Sequence, residues 1–256
     1  MSSQQVIEHI VLFNVKDNTD PSKLDAMVNG LNSLSSLPHV LHLSMGPVFR
    51  NRSNSFKFCH MLHSRYNSKE DLKGYSDHES HLKVVRENVL PICDDIMAVD
   101  WVSEGLNGEI KIKPSSAIRV SFLKVKENLG AEEKADIFKV FGEFKEEGFD
   151  SIDQISYGEN FSPARAKGFS IASLAVFPGI SELDALSSNE ELMNKKKEKF
   201  RDFLEGVIIV DYVVPQVVGK CLWIVEGWSL QVWNIRTIQF QVVNLEVQYS
   251  ISQTVA

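Results

Sequence analysis

The stretch EHIVLFNVKDN, residues 8–18, decides the fold, because IRVSFLKVKEN at 118–128 repeats its pattern about 110 positions later. Both stretches are rich in apolar residues and end in a charged turn, which predicts a β-strand. Two further pairs keep nearly the same offset: SMGPVF (44–49) with SYGENF (156–161), and MAVDWV (97–102) with IIVDYV (208–213). An offset this constant indicates one domain copied in tandem.

Each copy continues with an amphipathic helix. Asp20 and Pro21 predict its start in the first copy, since Asp caps helices and Pro suits their first turn. Apolar residues then recur at helical spacing. They are Leu24, Met27, Val28, Leu31 and Leu34 in the first copy, and Ile137, Val140, Phe141 and Phe144 after Gly130 in the second.

Two strands, a second helical region and a closing strand complete each copy. The better-marked strands are FKFCHMLHSRY (56–66) and FSIASLAVF (169–177). Ser68 with Asp71, and Ser181 with Asp184, predict capping boxes for short helices. Further helices are predicted at about 79–90 and 189–205, and closing strands at about 95–102 and 206–214.

The order strand, helix, two strands, helix, strand is a ferredoxin-like plan with helices on one face of the sheet. The other face is apolar and must be buried against a second sheet. We therefore predict an α+β fold in which two tandem ferredoxin-like domains form an intrachain pseudo-dimeric α/β barrel. The predicted domains span 6–104 and 116–215.

Residues 216–256 form an atypical hydrophobic tail. The tail has few charged residues and contains three of the four tryptophans, with apolar residues that alternate as in strands. It either adds a hairpin to a barrel edge, serves as an association segment, or is a carboxy-terminus absent from relatives. We favour the last, and we expect the segment to promote aggregation.

Composition excludes several classes of partner. The net charge of -7 is spread over segments of mixed sign, so we expect neither nucleic acid nor a membrane as partner. No apolar stretch reaches the roughly 20 residues of a membrane span. Three cysteines without a CxxC pair favour a reducing compartment. We expect a cytoplasmic protein; a peroxisome is the alternative, although the end QTVA is not an SKL-type address.

The chain resembles the stress-responsive A/B barrel family, a dimeric α/β-barrel group common in plants. The resemblance rests on EHIVLF, on CHMLHSRYNSKEDLKGYSDHESH (59–81) and on the VDW and VDY strands, and it covers about 6–102 and 116–214. Single-domain relatives dimerise into an eight-stranded barrel. The resemblance implies the same barrel built from one chain.

The family includes a polyketide cyclase, olivetolic acid cyclase, to which the first copy is similar. The resemblance implies that His81 acts as a base and Tyr75 as a donor to an enolate, with His9, His60 and His78 as binding residues. An imidazole with a pKa of roughly 6.5 can accept a proton near neutral pH, so no cofactor is required. Glu79 stands where the family usually has Pro.

All seven histidines lie in the first copy. At the positions matching His9, His60, Tyr75, His78 and His81, the second copy has Arg119, Ile171, Leu186, Asn189 and Leu192. Any such chemistry therefore belongs to the first copy.

We expect His9 and His60 to point into the barrel, either as binding groups or as core histidines with hydrogen-bond partners. His39, His42 and His63 are expected at the surface. A metal site at His78 and His81 would lack a carboxylate or thiolate to complete it.

A different ion could lie at the end of the first helix. Carbonyl groups are unpaired there and form the negative end of the helix dipole. The resemblance implies that the carbonyls of Leu34, Leu37 and Val40 hold Mg²⁺, of structural or adventitious origin.

Two functions remain open. The favoured one is a stress-associated barrel that binds a small apolar molecule, or acts through self-association, without turnover. The alternative is a cofactor-free cyclase or lyase that performs an aldol-type condensation on a poly-β-keto chain. The cyclase requires Tyr75 and His81 to converge on one reacting atom beside an apolar cavity. Oxidation of a quinone or haem ranks last because no motif supports it.

Overall fold

The computed structural model describes residues 5–53, 56–103, 106, 108–127, 129–146 and 151–216. Of the hydrophobic tail predicted at 216–256, only Gln216 belongs to these residues, and the rest lies outside them.

Both domains have the predicted order of elements among the described residues. The first domain contains β1 (Ile7–Val15), α1 (Pro21–Ser33), β2 (His42–Asn51), β3 (His60–Tyr66), α2 (Lys69–Asp77), α3 (Glu79–Val84) and β4 (Cys93–Val102). The second contains β5 (Ala117–Val125), α4 (Ala131–Glu146), β6 (Gln154–Glu159), β7 (Ile171–Phe177), α5 (Ile180–Ser188), α6 (Glu190–Arg201) and β8 (Leu204–Val213). A π-helical turn, Val85–Val89, continues α3.

Two of the three helix starts that were assigned to capping residues, those of α1 and α2, follow these residues. The Asp20 carboxylate accepts a hydrogen bond from the Ser22 backbone N at 2.8 Å, and Ser68 Oγ accepts one from the Asp71 backbone N at 3.0 Å. The capping box predicted at Ser181 is wrong. Gly179 is the cap of α5, and Ser181 lies inside the helix, where its hydroxyl donates to Glu182 at 2.8 Å.

The strands form one antiparallel sheet in the order β4-β1-β3-β2-β8-β5-β7-β6. β2 pairs with β8 and so joins the two domains. At the opposite edges, Trp101 of β4 forms a bridge with Asn160, and the Phe161 backbone N donates to the Asp100 carbonyl at 2.9 Å. The sheet therefore curls into a barrel, which confirms the predicted intrachain arrangement.

The core consists of a barrel interior and a helix-covered layer outside each half. Interior side chains from both domains are completely buried: Ile10, Leu12, Val99, Val120, Phe122 and Val210. The outer layer of the first domain packs Met27 and Leu31 of α1 against the sheet, and that of the second packs Ile137 and Phe141 of α4. Within the described residues, no helix combines the length and apolar character needed to cross a membrane.

His9 and His60 do not point into the barrel, so that expectation is wrong. Ile10 and Leu12 fill the interior, and the alternating residues Ile7 and Phe13 pack under α1. Because successive side chains of a strand point to opposite faces, His9 lies with Ile7 on the helix-covered face. His60 is paired with Phe13 in the sheet and lies on that same face.

The seam between β4 and β6 requires glycine at position 158. A Cβ atom there would lie 2.5 Å from the Val102 carbonyl oxygen and 3.0 Å from Trp101 Cδ1. We expect Gly158→Ala to lower the free energy of unfolding by about 1–3 kcal/mol, because the backbone of one edge must shift. Urea unfolding measures this loss.

Gly206→Ala is the matched control, since its added Cβ would meet Lys124 Cβ at an ordinary 3.9 Å. Equal unfolding midpoints for the two variants would contradict the close contact at the seam.

Candidate functional site

Tyr75 and His81 come together between the helices and the sheet of the first domain. Their ring centroids lie 4.6 Å apart, because the chain bends between α2 and α3. Tyr66 of β3 lies 5.2 Å from Tyr75, and His9 of β1 lies 6.4 Å from it, both measured between ring centroids. The structure thus gathers three of the five predicted site residues into one cluster, the first-domain cluster of His9, Tyr66, Tyr75 and His81.

The hydrogen bond of His81 determines which of its nitrogens is free. Its Nδ1 lies 2.9 Å from the Ser76 carbonyl oxygen, which can only accept, so Nδ1 carries the proton and Nε2 is left as an acceptor. Burial lowers the pKa of His81, which favours the neutral ring. Burial also raises the pKa of Tyr75, which therefore remains a hydroxyl donor. This pair has the protonation states that a base and an enolate donor need.

His9 is paired with a carboxylate. Its Nδ1 hydrogen bonds to Asp100 on the neighbouring strand β4, and both side chains are buried. Burial raises the pKa of Asp100, but the interaction with His9 outweighs it, so that this pKa lies below its ordinary value. The pair holds the His9 ring in a fixed orientation beside the two tyrosines.

His60 and His78 lie apart from this cluster. His60 is at the far end of β3, six residues or about 20 Å from Tyr66 along the strand. Its Nδ1 lies 3.3 Å from Cys59 Sγ, and burial lowers its pKa. His78 is the N-cap of α3, where its Nδ1 accepts from the Ser80 backbone N at 3.2 Å. Binding roles for these two residues stay predictions from the resemblance.

The carbonyls proposed for Mg²⁺ are partly occupied by the chain itself. The Leu37 backbone N donates to the Leu34 carbonyl, and the Val40 backbone N to the Leu37 carbonyl, each at 3.1 Å. Mg²⁺ usually binds at least one carboxylate, and these three groups supply none, so they fit the ion poorly. Nowhere in the described part of the chain do three His, Cys, Asp or Glu side chains gather as metal ligands.

A buried polar cluster in the barrel interior was missed, and the expectation that His42 and His63 lie at the surface is wrong. His63 is fully buried, and its Nε2 lies 2.6 Å from Glu8 Oε2. Arg65 Nε lies 3.1 Å from both Glu8 carboxylate oxygens. The alternation of β3 places His63 and Arg65 on the interior face with Met61, and this period of two was the signal in the sequence.

Protonation in this interior cluster follows from burial and from Arg65. Burial raises the pKa of Glu8, but the Arg65 charge and the His63 hydrogen bond outweigh it and lower that pKa to about 2. Burial lowers the pKa of His63 and lowers that of His42 to about 2. His63 therefore donates to Glu8 as a neutral ring, and Arg65 is the counter-charge.

A cavity of about 380 Å³ lies between the sheet and the helices of the second domain. Its walls are mostly aliphatic and aromatic, and they include Leu123, Phe141, Ile155, Phe177, Leu186 and Phe200. This is the layer that corresponds to the first-domain cluster, although the second copy has no histidine. The resemblance, by contrast, implies binding residues in the first copy, at His9, His60 and His78.

Smaller side chains help to account for the cavity. The strand register equates Val11 with Ser121 and Leu62 with Ser173, and the two serines line the cavity. Leu186, at the position of Tyr75, also lines it. Each replacement removes side-chain volume from the space between sheet and helices.

Arg119 lies at the inner end of the cavity, at the position of His9. Its Nε is 2.7 Å from Asp211 Oδ1, and its Nη2 is 3.0 Å from Asp211 Oδ2 and 2.9 Å from Ser187 Oγ. Arg119 and Asp211 thus reproduce the His9–Asp100 pair with a permanent positive charge. A second buried cation, Lys196 of α6, also lines the cavity and donates to Glu143 at 3.0 Å. Most of the remaining wall is apolar.

Comparison with known proteins agrees with the fold. A family model described as Stress responsive A/B Barrel Domain matches residues 7–103 and 118–214. One stress-response A/B barrel domain-containing protein of Arabidopsis thaliana is 50% identical over 211 residues, covering 82% of this chain and 80% of that protein. A second protein of the same description and the same plant is 42% identical over 212 residues, covering 82% of this chain and 97% of that protein.

Among solved structures, an anthrone oxidase-like protein superposes with a TM-score of 0.56 at 11% identity, covering 84% of this chain and 92% of that one. At this identity the likeness concerns the fold alone. The two family matches and the identities to both plant proteins show that the chain belongs to the stress-responsive A/B barrel family and carries its domain twice.

Proposed function

We propose that this stress-response barrel protein binds a small, mostly apolar molecule in the cavity of its second domain, without turnover. The observation that carries the proposal is the cavity itself. Its volume of about 380 Å³ lies within the usual range of ligand pockets, and its walls are mostly apolar.

The separation of chemical groups supports binding over catalysis. The neutral His81 and the hydroxyl of Tyr75 lie in the first domain, whereas the cavity lies in the second. Tyr75 is 1% exposed and packs against His81 and Tyr66. A reacting atom in the second-domain cavity therefore meets neither group.

Filling the cavity tests the proposal. In Ser121→Val/Ser173→Leu, the side chains of the first copy replace those of the second on strands of the same register. We expect the affinity for an uncharged apolar fluorescent probe such as N-phenyl-1-naphthylamine to fall about tenfold or more, because the space is occupied. The variant itself should be stabilised by about 0.5–2 kcal/mol, which excludes unfolding as the cause.

Ser181→Leu is the matched control, because Ser181 is exposed on α5 of the same domain. Titration of the probe into the wild type and both variants gives the three affinities. Equal probe affinity in the cavity-filled variant and the wild type would contradict binding in this cavity.

A cofactor-free cyclase is the second candidate, and the fixed tautomer of His81 beside Tyr75 favours it. The test compares the products of wild type, His81→Ala and Tyr75→Phe from a panel of linear polyketides. Identical product profiles in all three proteins would end this candidate.

The barrel architecture, the charge and the cysteine content bear on the partners and the location of the protein. Because the second domain takes the place of a partner, self-association is not needed to complete the barrel. Mixed-sign charge does not favour binding to nucleic acid or membrane surfaces. The cysteine usage supports a location in the cytoplasm.

A further inference from the structure

We infer that the ligand of the second-domain cavity is an apolar monocarboxylic acid, whose carboxylate binds Arg119 at the inner end while its hydrocarbon part fills the chamber. This inference rests on the proposed binding function and names the chemical class of the ligand.

Arg119 keeps a donor group for a ligand. Its Nε and Nη2 are engaged by Asp211 and Ser187, whereas Nη1 makes no hydrogen bond with any residue that the structure describes. Arg119 is 8% exposed and lines the cavity. A guanidinium group presents planar N–H donors that match a carboxylate, and such charge-assisted bonds are stronger than neutral ones.

The charges around Arg119 favour an anion. Asp211 is also approached by Arg50 Nε at 3.3 Å and Arg52 Nε at 3.4 Å. Arg50 forms a second ion pair with Asp184. Among the described residues of this cluster, three guanidinium groups face two carboxylates, which leaves one positive charge. A single carboxylate from a ligand balances it.

The shape of the cavity orients such a molecule. The chamber follows β5 from Arg119 to Leu123, which is about 13 Å along a strand. Its other end is bordered by Val207, which is 47% exposed, and by the exposed side chains of Glu198 and Arg201. A carboxylate at Arg119 therefore directs the hydrocarbon chain along apolar walls towards the surface.

The experiment compares decanoate with decanol, which share a hydrocarbon chain and differ in charge. Isothermal titration of the full-length protein should show about tenfold or more tighter binding of decanoate, because a hydrogen bond to a charged group adds roughly that much. In Arg119→His this preference should fall below about threefold, while decanol affinity stays within about twofold. This variant copies the His9–Asp100 pair of the first domain, which the same strand geometry already accommodates.

Lys197→Gln distinguishes the two ends of the cavity. Lys197 is an exposed residue of α6 that also borders the cavity, and the preference for decanoate should persist without its charge. Loss of the preference in Lys197→Gln, or its persistence in Arg119→His, would overturn the inference. Equal affinity of the wild type for acid and alcohol would overturn it while leaving the proposed function intact. Failure to bind either compound would overturn both.

Discussion

Replacing Glu8 by Gln is expected to lower the free energy of unfolding by about 3–5 kcal/mol, because Arg65 would keep a buried charge without its counter-charge. Arg65 Nη2 lies 3.0 Å from Glu8 Oε1, and both side chains are completely inaccessible to solvent. Arg65 Nη1 also donates to the Ile110 carbonyl at 2.7 Å and to Gln154 at 2.9 Å, so it cannot move out to water without breaking contacts with the second half of the barrel.

The second copy provides the matched variant. At the positions of Glu8, His63 and Arg65 it has Ile118, Leu174 and Val176, all of which are buried in the barrel interior. Replacing a buried ion pair by well-packed apolar side chains is often neutral. Glu8→Ile/His63→Leu/Arg65→Val should therefore be more stable than Glu8→Gln in urea unfolding. A triple variant less stable than the single one would contradict this account.

The ion pair of Glu8 and Arg65 also makes the free energy of unfolding depend on pH in the acid range. The pKa of Glu8 is lowered from 4.5 to about 2, with burial opposing the shift and Arg65 producing it. Because the unfolded state binds the proton more readily, the contribution of Glu8 is complete above pH 4.5 and is lost as the pH falls through about 2. The gap in stability between wild type and Glu8→Gln should shrink over this window by roughly 3 kcal/mol.

Replacing Asp211 by Asn is also expected to lower the free energy of unfolding, by about 3–5 kcal/mol, because a buried carboxylate is removed from a pair with Arg119. Its side chain is fully buried, and it also approaches Arg50 and Arg52 of β2 and the segment after it. Since Asp211 lies on β8, the variant weakens the junction between the domains as well as the inner wall of the cavity.

Asp202→Asn is the control, because Asp202 is 83% exposed and only its distant pair with Arg201, at 3.7 Å, would be lost. Exposed pairs contribute about 0–1 kcal/mol. Urea unfolding of the two variants measures the difference. A loss in Asp211→Asn no larger than in Asp202→Asn would show that the arginine cluster does not depend on its carboxylate.

The fold was predictable because its signals are local and repeated. The offset between EHIVLF and IRVSFL identified two copies, and period-two alternation identified the strands. Which face of each strand points into the barrel interior was not predictable in the same way. Both faces of β1 are buried, and both are apolar: Ile10 and Leu12 on the interior face, Ile7 and Phe13 on the helix-covered face. The pattern alone therefore could not show on which face His9 lies.

The candidate sites were only partly predictable. Tyr75 and His81 lie six positions apart in the sequence, and the bend between α2 and α3 brings their rings together. The interior cluster joins Glu8 to His63 and Arg65 over long sequence distances, so it depends on strand register. The cavity of the second domain was missed, because a cavity is volume that side chains leave unfilled, and no motif marks it.

The sequence by itself determined the tandem repeat, the ferredoxin-like order of elements and the need to bury an apolar face of each sheet. These depend on hydrophobic periodicity and turn chemistry, which are properties of neighbouring residues. Only the tertiary structure decided which faces meet, which polar groups are buried as pairs, and that the cavity of the second domain has Arg119 at its inner end. Those properties depend on contacts between residues far apart in the chain, and they arise only when both copies pack together.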